Sequence, residues 1–153
     1  MTDIQASLGF SQMKRAKVIL KERIKIAKNY HKNLSEIDCL KLPIPKENYF
    51  HSFQSYPCLI RLKDYKSSSI KKTNKRRNII MEKLQEVGIS ARPATHAVHM
   101  LSFYKKKYKL KPSDFLNSWI VNDCSMSLPL YNGMTLEEQS YVINKIKYYF
   151  KTL

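Results

Sequence analysis

Glycine is nearly missing from this chain: 3 in 153 residues. Tight turns with positive φ lean on glycine, so the shortage argues against a barrel or sandwich built from many hairpins. Proline, at 6, is too sparse for long stiff linkers. No apolar run approaches the ~20 residues that a membrane-spanning helix needs. The first residues show no basic-then-apolar leader pattern. The expectation is a cytoplasmic protein with no membrane contact. Cysteines number 3, at Cys39, Cys58 and Cys124, widely spaced and with no CxxC pair. That usage predicts reduced, buried thiols rather than disulfides or a metal site. Acidic residues are also few, 12 against 28 Lys and Arg. They are scattered, so no pair of carboxylates suggests itself for acid–base work.

What remains is an ordinary globular composition with an excess of positive charge. Apolar residues make up 43% of the chain, and 153 residues give room for one domain and one real core. The net charge of +16 would attract any polyanion over long range. Two runs are dense: KKTNKRR at residues 71–77 and YKKKYKLK at 104–111. A charge run is usually a solvated face. The expectation is therefore non-specific attraction to nucleic acid rather than a dedicated nucleic-acid site.

Periodicity predicts four helices and about three strands. Thr2-x-x-Gln5 is a capping box. After it, Ile4, Leu8, Met13, Ala16, Leu20, Ile24, Ala27, Tyr30 and Leu34 recur at helical spacing, to about Ile37. Such a helix has about nine turns. Leu42-Pro43-Ile44-Pro45 ends it. SYPCLIRL, residues 55–62, reads as a strand, with Pro57 marking an edge position or an early residue. Ser67, Ser68 and Ser69 offer caps for a second helix that buries Ile79, Ile80, Leu84 and Val87 and stops at Gly88. Ile89 to Arg92 is predicted as a short strand. A third helix starts at Ser113 and carries Phe115 and Trp119 on one face. Cys124 to Leu128 forms the third strand. Thr135-x-x-Glu138 is a second capping box, opening a last helix with Val142, Ile146 and Phe150 inward. The order predicts a small two-layer α/β domain, α+β-like, with a long first helix and helices covering one face of a small sheet.

The chemistry-bearing stretch is GISARPATHAVHMLSFY, residues 88–104. It holds Arg92, His96 and His99, including two of the chain's 4 histidines. Arginine is a fixed, forked cation suited to phosphate, and histidine titrates near neutral pH. Together they read either as an anion-handling site or as a solvated polar loop between apolar elements. His96-x-x-His99 could be a metal pair, but no third ligand at suitable spacing completes it. No G-x-S-x-G elbow, phosphate-cradling glycine loop or H-E-x-x-H is present.

Four segments resemble the DegT/StrS family of pyridoxal-phosphate-dependent sugar-nucleotide aminotransferases. MTDIQASLGFSQM at 1–13 is similar to the family's M-T-x-I-Q-A-A-x-G-x-x-Q-L. HSFQSYPCLIRL at 51–62 continues the likeness. GISARPATHAVHMLSFYKKKY at 88–108 resembles the G-I-x-x-R-P-G-T-H-A-V-H of perosamine-synthase-like members. SLPLYNGMTLEEQSYVI at 127–143 resembles S-L-P-L-Y-P-x-M-T-x-E-E-Q-x-Y-V-I. The matches run in family order over essentially the whole chain.

The resemblance implies the C-terminal domain of a fold-type-I aminotransferase. Residues 1–40 would be the long linking helix and 41–153 the small domain, with the large cofactor-binding domain absent. In the family that large domain carries the Schiff-base lysine, so the resemblance implies no catalytic residue and no cofactor in this chain alone, and pyridoxal phosphate in the full-length family. It implies substrate-binding roles for Arg92 and His96 in the R-P-x-T-H step, His99 in the A-V-H step, and Gln54 and Ser55 in the Q-S-Y step. Ala94 departs from the usual glycine of the loop. The partners implied are a nucleotide-sugar substrate in the complete enzyme and a large-domain polypeptide or homodimer partner. The pathway implied is nucleotide-sugar and polysaccharide biosynthesis. Two other readings stand beside it: a basic module for polyanions, and half of a split aminotransferase completed by a second chain.

Overall fold

A computed structural model describes residues 1–153. Helix α1 spans Asp3–Leu34. Its capping box forms as the sequence predicts: the Gln5 N–H donates to Thr2 Oγ1 at 3.3 Å, and the Thr2 N–H donates to Gln5 Oε1 at 2.9 Å. The helix stops at Leu34, short of Ile37, because the chain tightens into successive turns there. The Ser35 hydroxyl donates to the Lys32 carbonyl at 3.3 Å, and the Ile37 N–H donates to the Leu34 carbonyl at 3.1 Å. Those turns deliver Leu40 to the sheet.

The sheet has three antiparallel strands in the order β1 (Leu40–Lys41), β2 (Tyr56–Ile60), β3 (Ser125–Leu128). Leu40 pairs with Ile60, and Tyr56 with Leu128. Strand β2 is therefore central, although it contains Pro57. The Arg61 N–H donates to Cys39, so the N–H side of odd-numbered residues faces β1. Strand β1 pairs only with Leu59 and Ile60, so Pro57 lies past its end and no ladder bond is lost.

The stretch Ile89–Arg92, expected as a strand, makes a single bridge, Arg92 to Ser127. Pro93 follows and has no N–H to extend a ladder. The third strand is instead β1, hidden in the sequence just ahead of the Leu-Pro-Ile-Pro stop.

Helix α2 spans Ser67–Glu86. Its cap position is Lys66, without a side-chain cap bond, so the serines sit inside the first turn. Ile80 and Leu84 are buried as expected, while Ile79 and Val87 are half-buried. Helix α3 covers Ser102–Tyr108. Helix α4 covers Leu116–Cys124, and a 3-10 turn at Pro112–Phe115 leads into it. That turn puts Phe115 at φ −134 and ψ 67, which breaks the helical phase. Trp119 is buried and Phe115 exposed, so they do not share a face. Helix α5 spans Leu136–Thr152 and opens on its predicted box, with the Thr135 N–H on Glu138 Oε2 at 2.8 Å.

The core lies on one face of the sheet. Tyr56, Cys58, Ile60, Met126 and Leu128 meet Tyr30 and Leu34 of α1, Ile80 and Leu84 of α2, and Ile143 and Ile146 of α5. The α/β reading of three strands under helices holds. A smaller cluster of Ile70, Trp119, Ile120 and Cys124 packs on Leu59, which points to the opposite face. Buried polar groups pin α1 to α5. Gln139, 2% exposed, donates from Nε2 to the Ile26 carbonyl at 2.8 Å and accepts from Asn29 Nδ2 at 2.7 Å.

All three cysteines are free, and Cys58 and Cys124 are buried. Burial drives the Cys58 thiol and the Tyr30 and Tyr56 phenols well above their ordinary values. It pushes Cys124 up to about 11. A raised folded-state value stabilises the fold below the unfolded value, and that stability is lost as pH climbs toward the folded one. Unfolded thiols and phenols titrate near ~8.5 and ~10. Urea unfolding followed by circular dichroism should therefore show stability falling steadily above about pH 9. Cys58→Ala should make that fall shallower. An unchanged stability from about pH 8 to 11 would contradict this assignment of buried acids.

Candidate functional site

A cavity of about 490 Å³ opens where the entry to β2, the end of β3 and the start of α5 converge. Its polar lining includes Gln54, Ser55, Ser90, Arg92, Tyr131, Glu138 and Tyr141. The volume falls within the range of small-molecule sites.

Each wall has a local cause. Gly88, at φ 77, turns the chain out of α2. The Ile89 N–H then caps the Leu84 carbonyl at 2.9 Å. The bridge to Ser127, a 2.8 Å bond onto the Arg92 carbonyl, fixes the Arg92 backbone at the rim. On the facing side Phe53 sits at φ 48, a region that bulky residues rarely adopt. Its N–H donates to His51 Nδ1 at 3.0 Å, and the two rings lie 4.4 Å apart. Phe53 is itself buried against the core. This held strain aims the next two residues, Gln54 and Ser55, at the cavity. Arg23 of α1 reaches the Gln54 and Leu130 carbonyls at 3.4 and 3.5 Å, tying both rims to the helix.

Glu138 is already committed. The Thr135 N–H and then the Tyr131 hydroxyl hold its carboxyl below the usual range. Burial and that same bond raise the Tyr131 phenol. Tyr141 donates its hydroxyl to the Val87 carbonyl at 3.1 Å. Arg92 is the one cation lining the cavity, which it shares with hydroxyls, the Gln54 amide and the committed Glu138 carboxylate. That set can bind and orient an anionic, hydroxyl-rich ligand.

Arg92, Gln54 and Ser55 come together here. The two histidines do not line this cavity. His99 is 6% exposed, with Nε2 3.3 Å from the Pro112 carbonyl and its ring 5.1 Å from that of Phe115. It packs the 88–104 segment onto the turn before α4. His96 is exposed at the surface. The next residue, Ala97, is anchored through its N–H to Asn122 Oδ1 at 2.8 Å. Asn122 in turn donates to Asp123, which also accepts from Trp119 Nε1 at 2.7 Å. No three His, Cys, Asp or Glu side chains gather to hold a metal. The residues that sequence reasoning missed are Tyr131, Tyr141 and Ser90. Tyr131 and Tyr141 are the two tyrosines of the family-like segment 127–143, so the signal was present, but no role had been attached to either.

The sequence pattern of the DegT/DnrJ/EryC1/StrS aminotransferase family matches residues 1–147. An uncharacterized protein of Methanocaldococcus jannaschii is 33% identical over 147 residues, 96% of this chain and 36% of its own length. A spore coat polysaccharide biosynthesis protein of Bacillus subtilis is 28% identical over the same shares. A GDP-perosamine synthase of Escherichia coli O157:H7 is 23% identical, across 98% of this chain and 36% of its own. This chain therefore spans about a third of each curated relative's length. The fold is similar to a Streptococcus pneumoniae protein assigned to the sugar aminotransferases. The TM-score is 0.85 at 22% identity, over 99% of this chain and 35% of that one. Structures of that protein include PMP and PLP forms. None of the residues lining the cavity here is a lysine, so the lining holds no amine for a Schiff base with pyridoxal phosphate.

Proposed function

Because the chain belongs to the DegT/DnrJ/EryC1/StrS aminotransferase family, we propose that it works as the C-terminal small domain of a sugar-nucleotide aminotransferase in polysaccharide biosynthesis. Residues 41–153 would form that domain. Residues 1–40 would be the helix linking it to a large domain that binds pyridoxal phosphate. The small domain's part is to hold substrate, not to carry out the amino transfer. No helix is long and apolar enough to cross a membrane.

The observation that carries this reading is the placement of Arg92 opposite Gln54 and Ser55 in one cavity. Arg92 can grip a diphosphate as a fork, with two parallel N–H bonds. Ser55, Ser90 and the Gln54 amide can meet sugar hydroxyls. His99 acts behind them as a packing residue, and His96 is free to reach a ligand only from outside the cavity. The exposed first half of α1 supports a partner, either a large domain or a second copy.

The competing polyanion reading has one observation of its own. Tyr104 and Tyr108 stack at 6.4 Å on α3, with Lys107 over the Phe103 and Tyr108 rings. Basic residues interleaved with aromatics suit nucleic acid.

One titration separates the two. Amide shifts are followed while UDP-N-acetylglucosamine is added in ~0.15 M salt, where screening suppresses diffuse attraction. Binding should be weak, with shifts at Gln54, Ser55 and Arg92. Arg92→Ala should weaken it about tenfold and Lys106→Ala hardly at all, since a fork contact is directional and a surface lysine is not. Equal losses, or shifts confined to 71–77 or to α3, would reject the substrate reading.

A further inference from the structure

A second cavity, of about 410 Å³, lies at the opposite edge of the sheet, between the exit of β2 and the flank of α2. Five of its 11 lining residues are cations: Arg61, Lys63, Lys72, Lys75 and Arg76. The chain as a whole has 28 Lys and Arg in 153 residues, so this concentration exceeds its general basicity. No aspartate or glutamate lines the cavity. The structure's two ion pairs, Lys83–Glu86 and Lys147–Glu36, involve none of these residues.

The arrangement follows from helical spacing. Ser69, Lys72, Thr73 and Arg76 recur at i, i+3, i+4 and i+7, so α2 presents them on one side. Arg61 and Lys63 come from the segment just past β2 and face them across the hollow. Arg76 is held in place: Nη2 donates to the Phe150 carbonyl at 3.1 Å, and the guanidinium lies 5.5 Å from the Phe150 ring centre. Its Nε is buried with no partner. Like charges converging on a concave surface repel one another and focus a positive potential into it. Asp64, which accepts from the Ser69 hydroxyl and the Lys66 N–H, offsets only part of that potential.

We propose that this cavity is a binding site for a polyphosphate group, separate from the Arg92 cavity. Five cations match a ligand carrying several negative charges rather than a single carboxylate. The Thr73 hydroxyl supplies a neutral donor for a further phosphate oxygen, while the Ser69 hydroxyl is given to Asp64. No aromatic side chain lines the walls, so nothing is present to stack a base. The site selects the phosphate chain and not a nucleobase.

The probe is inorganic tripolyphosphate, titrated into the full chain by calorimetry in ~0.15 M salt. Two double variants are compared, K63E/K72E in the cavity and K105E/K106E on α3. Both alter the net charge equally, and all four lysines are exposed, so folding is checked simply by circular dichroism. The expected result is saturable one-to-one binding, weakened at least about tenfold in K63E/K72E and much less in K105E/K106E. Amide shifts should centre on Ser69 and Thr73. Equal weakening in both variants would show a diffuse charge effect and overturn the site, as would binding that never saturates. None of these residues lines the Arg92 cavity, so failure here leaves the sugar-nucleotide reading untouched, and the reverse also holds.

Discussion

Replacing Tyr30 with alanine should remove about 4–6 kcal/mol of stability. Tyr30 is fully buried on α1 and packs on Tyr56, ring centres 5.0 Å apart. Its hydroxyl donates to the Pro129 carbonyl at 2.8 Å, the residue that follows β3. One side chain thus joins the long helix, the central strand and the edge of the candidate site. Truncating a buried aromatic to alanine costs about 3–5 kcal/mol. Losing the hydrogen bond adds about 1 kcal/mol. Total stabilities of domains this size are only about 5–15 kcal/mol.

Tyr30→Phe removes the hydroxyl alone and should cost about 1 kcal/mol with the fold retained. Urea denaturation of both variants separates packing from hydrogen bonding. If Tyr30→Ala lost no more than Tyr30→Phe, the ring would not be the anchor that its burial indicates. A second readout follows from position. Tyr30→Phe frees the Pro129 carbonyl beside Leu128 and Leu130, so amide shifts should spread to the cavity lining at Tyr131.

Helices were the legible part of this fold, because their signals are local. The boxes at Thr2 and Thr135 depend on residues three apart, and both form. The stop at Gly88 depends on one positive φ. The sheet was half legible. Tyr56–Ile60 announces itself by an apolar run and Ser125–Leu128 by the alternation of Met126 and Leu128 with serines, whereas Leu40–Lys41 is a strand only because Ile60 and Leu59 are there to pair with it. Ile89–Arg92 fails for the converse reason: its neighbour β3 is available, but Pro93 ends the ladder after one bridge.

The site divides the same way. Arg92, Gln54 and Ser55 share a cavity because β2 and β3 are adjacent, which family-like spacing suggested. Local spacing alone would group Arg92 with His96 and His99, yet the anchoring of Ala97 on Asn122 turns that segment away toward α4. Such a bond between residues 25 apart leaves no trace in periodicity.

The first half of α1 touches nothing, and that should show as association. No residue of the helix before Ile26 is buried. Asn132 donates to the Ile19 carbonyl and Arg23 reaches the cavity rims, so the projecting part is Asp3 to Val18, about 24 Å at 1.5 Å per residue. Ile4, Leu8, Phe10, Met13 and Val18 along it are each more than half exposed. The sequence read Ile4, Leu8 and Met13 as parts of one stripe and left Phe10 and Val18 out, but the geometry spreads all five. At about 100° per residue, Ile4, Leu8 and Val18 share one side while Phe10 and Met13 lie on the other. A helix apolar on opposing sides suits enclosure more than contact along a single seam.

Left in water, such a surface favours self-association or a partner. Sedimentation at about 100 µM should show a dimer or larger species, with a Kd in the micromolar range expected from burying several large side chains. L8K together with M13K should shift the protein to monomer. Because neither side chain reaches the core, that double variant should keep the parent's unfolding midpoint measured at low concentration. A monomeric parent at high concentration would remove the case for α1 as a docking element. A double variant that lost stability as well as association would place Leu8 or Met13 against the folded body, contrary to the geometry seen here.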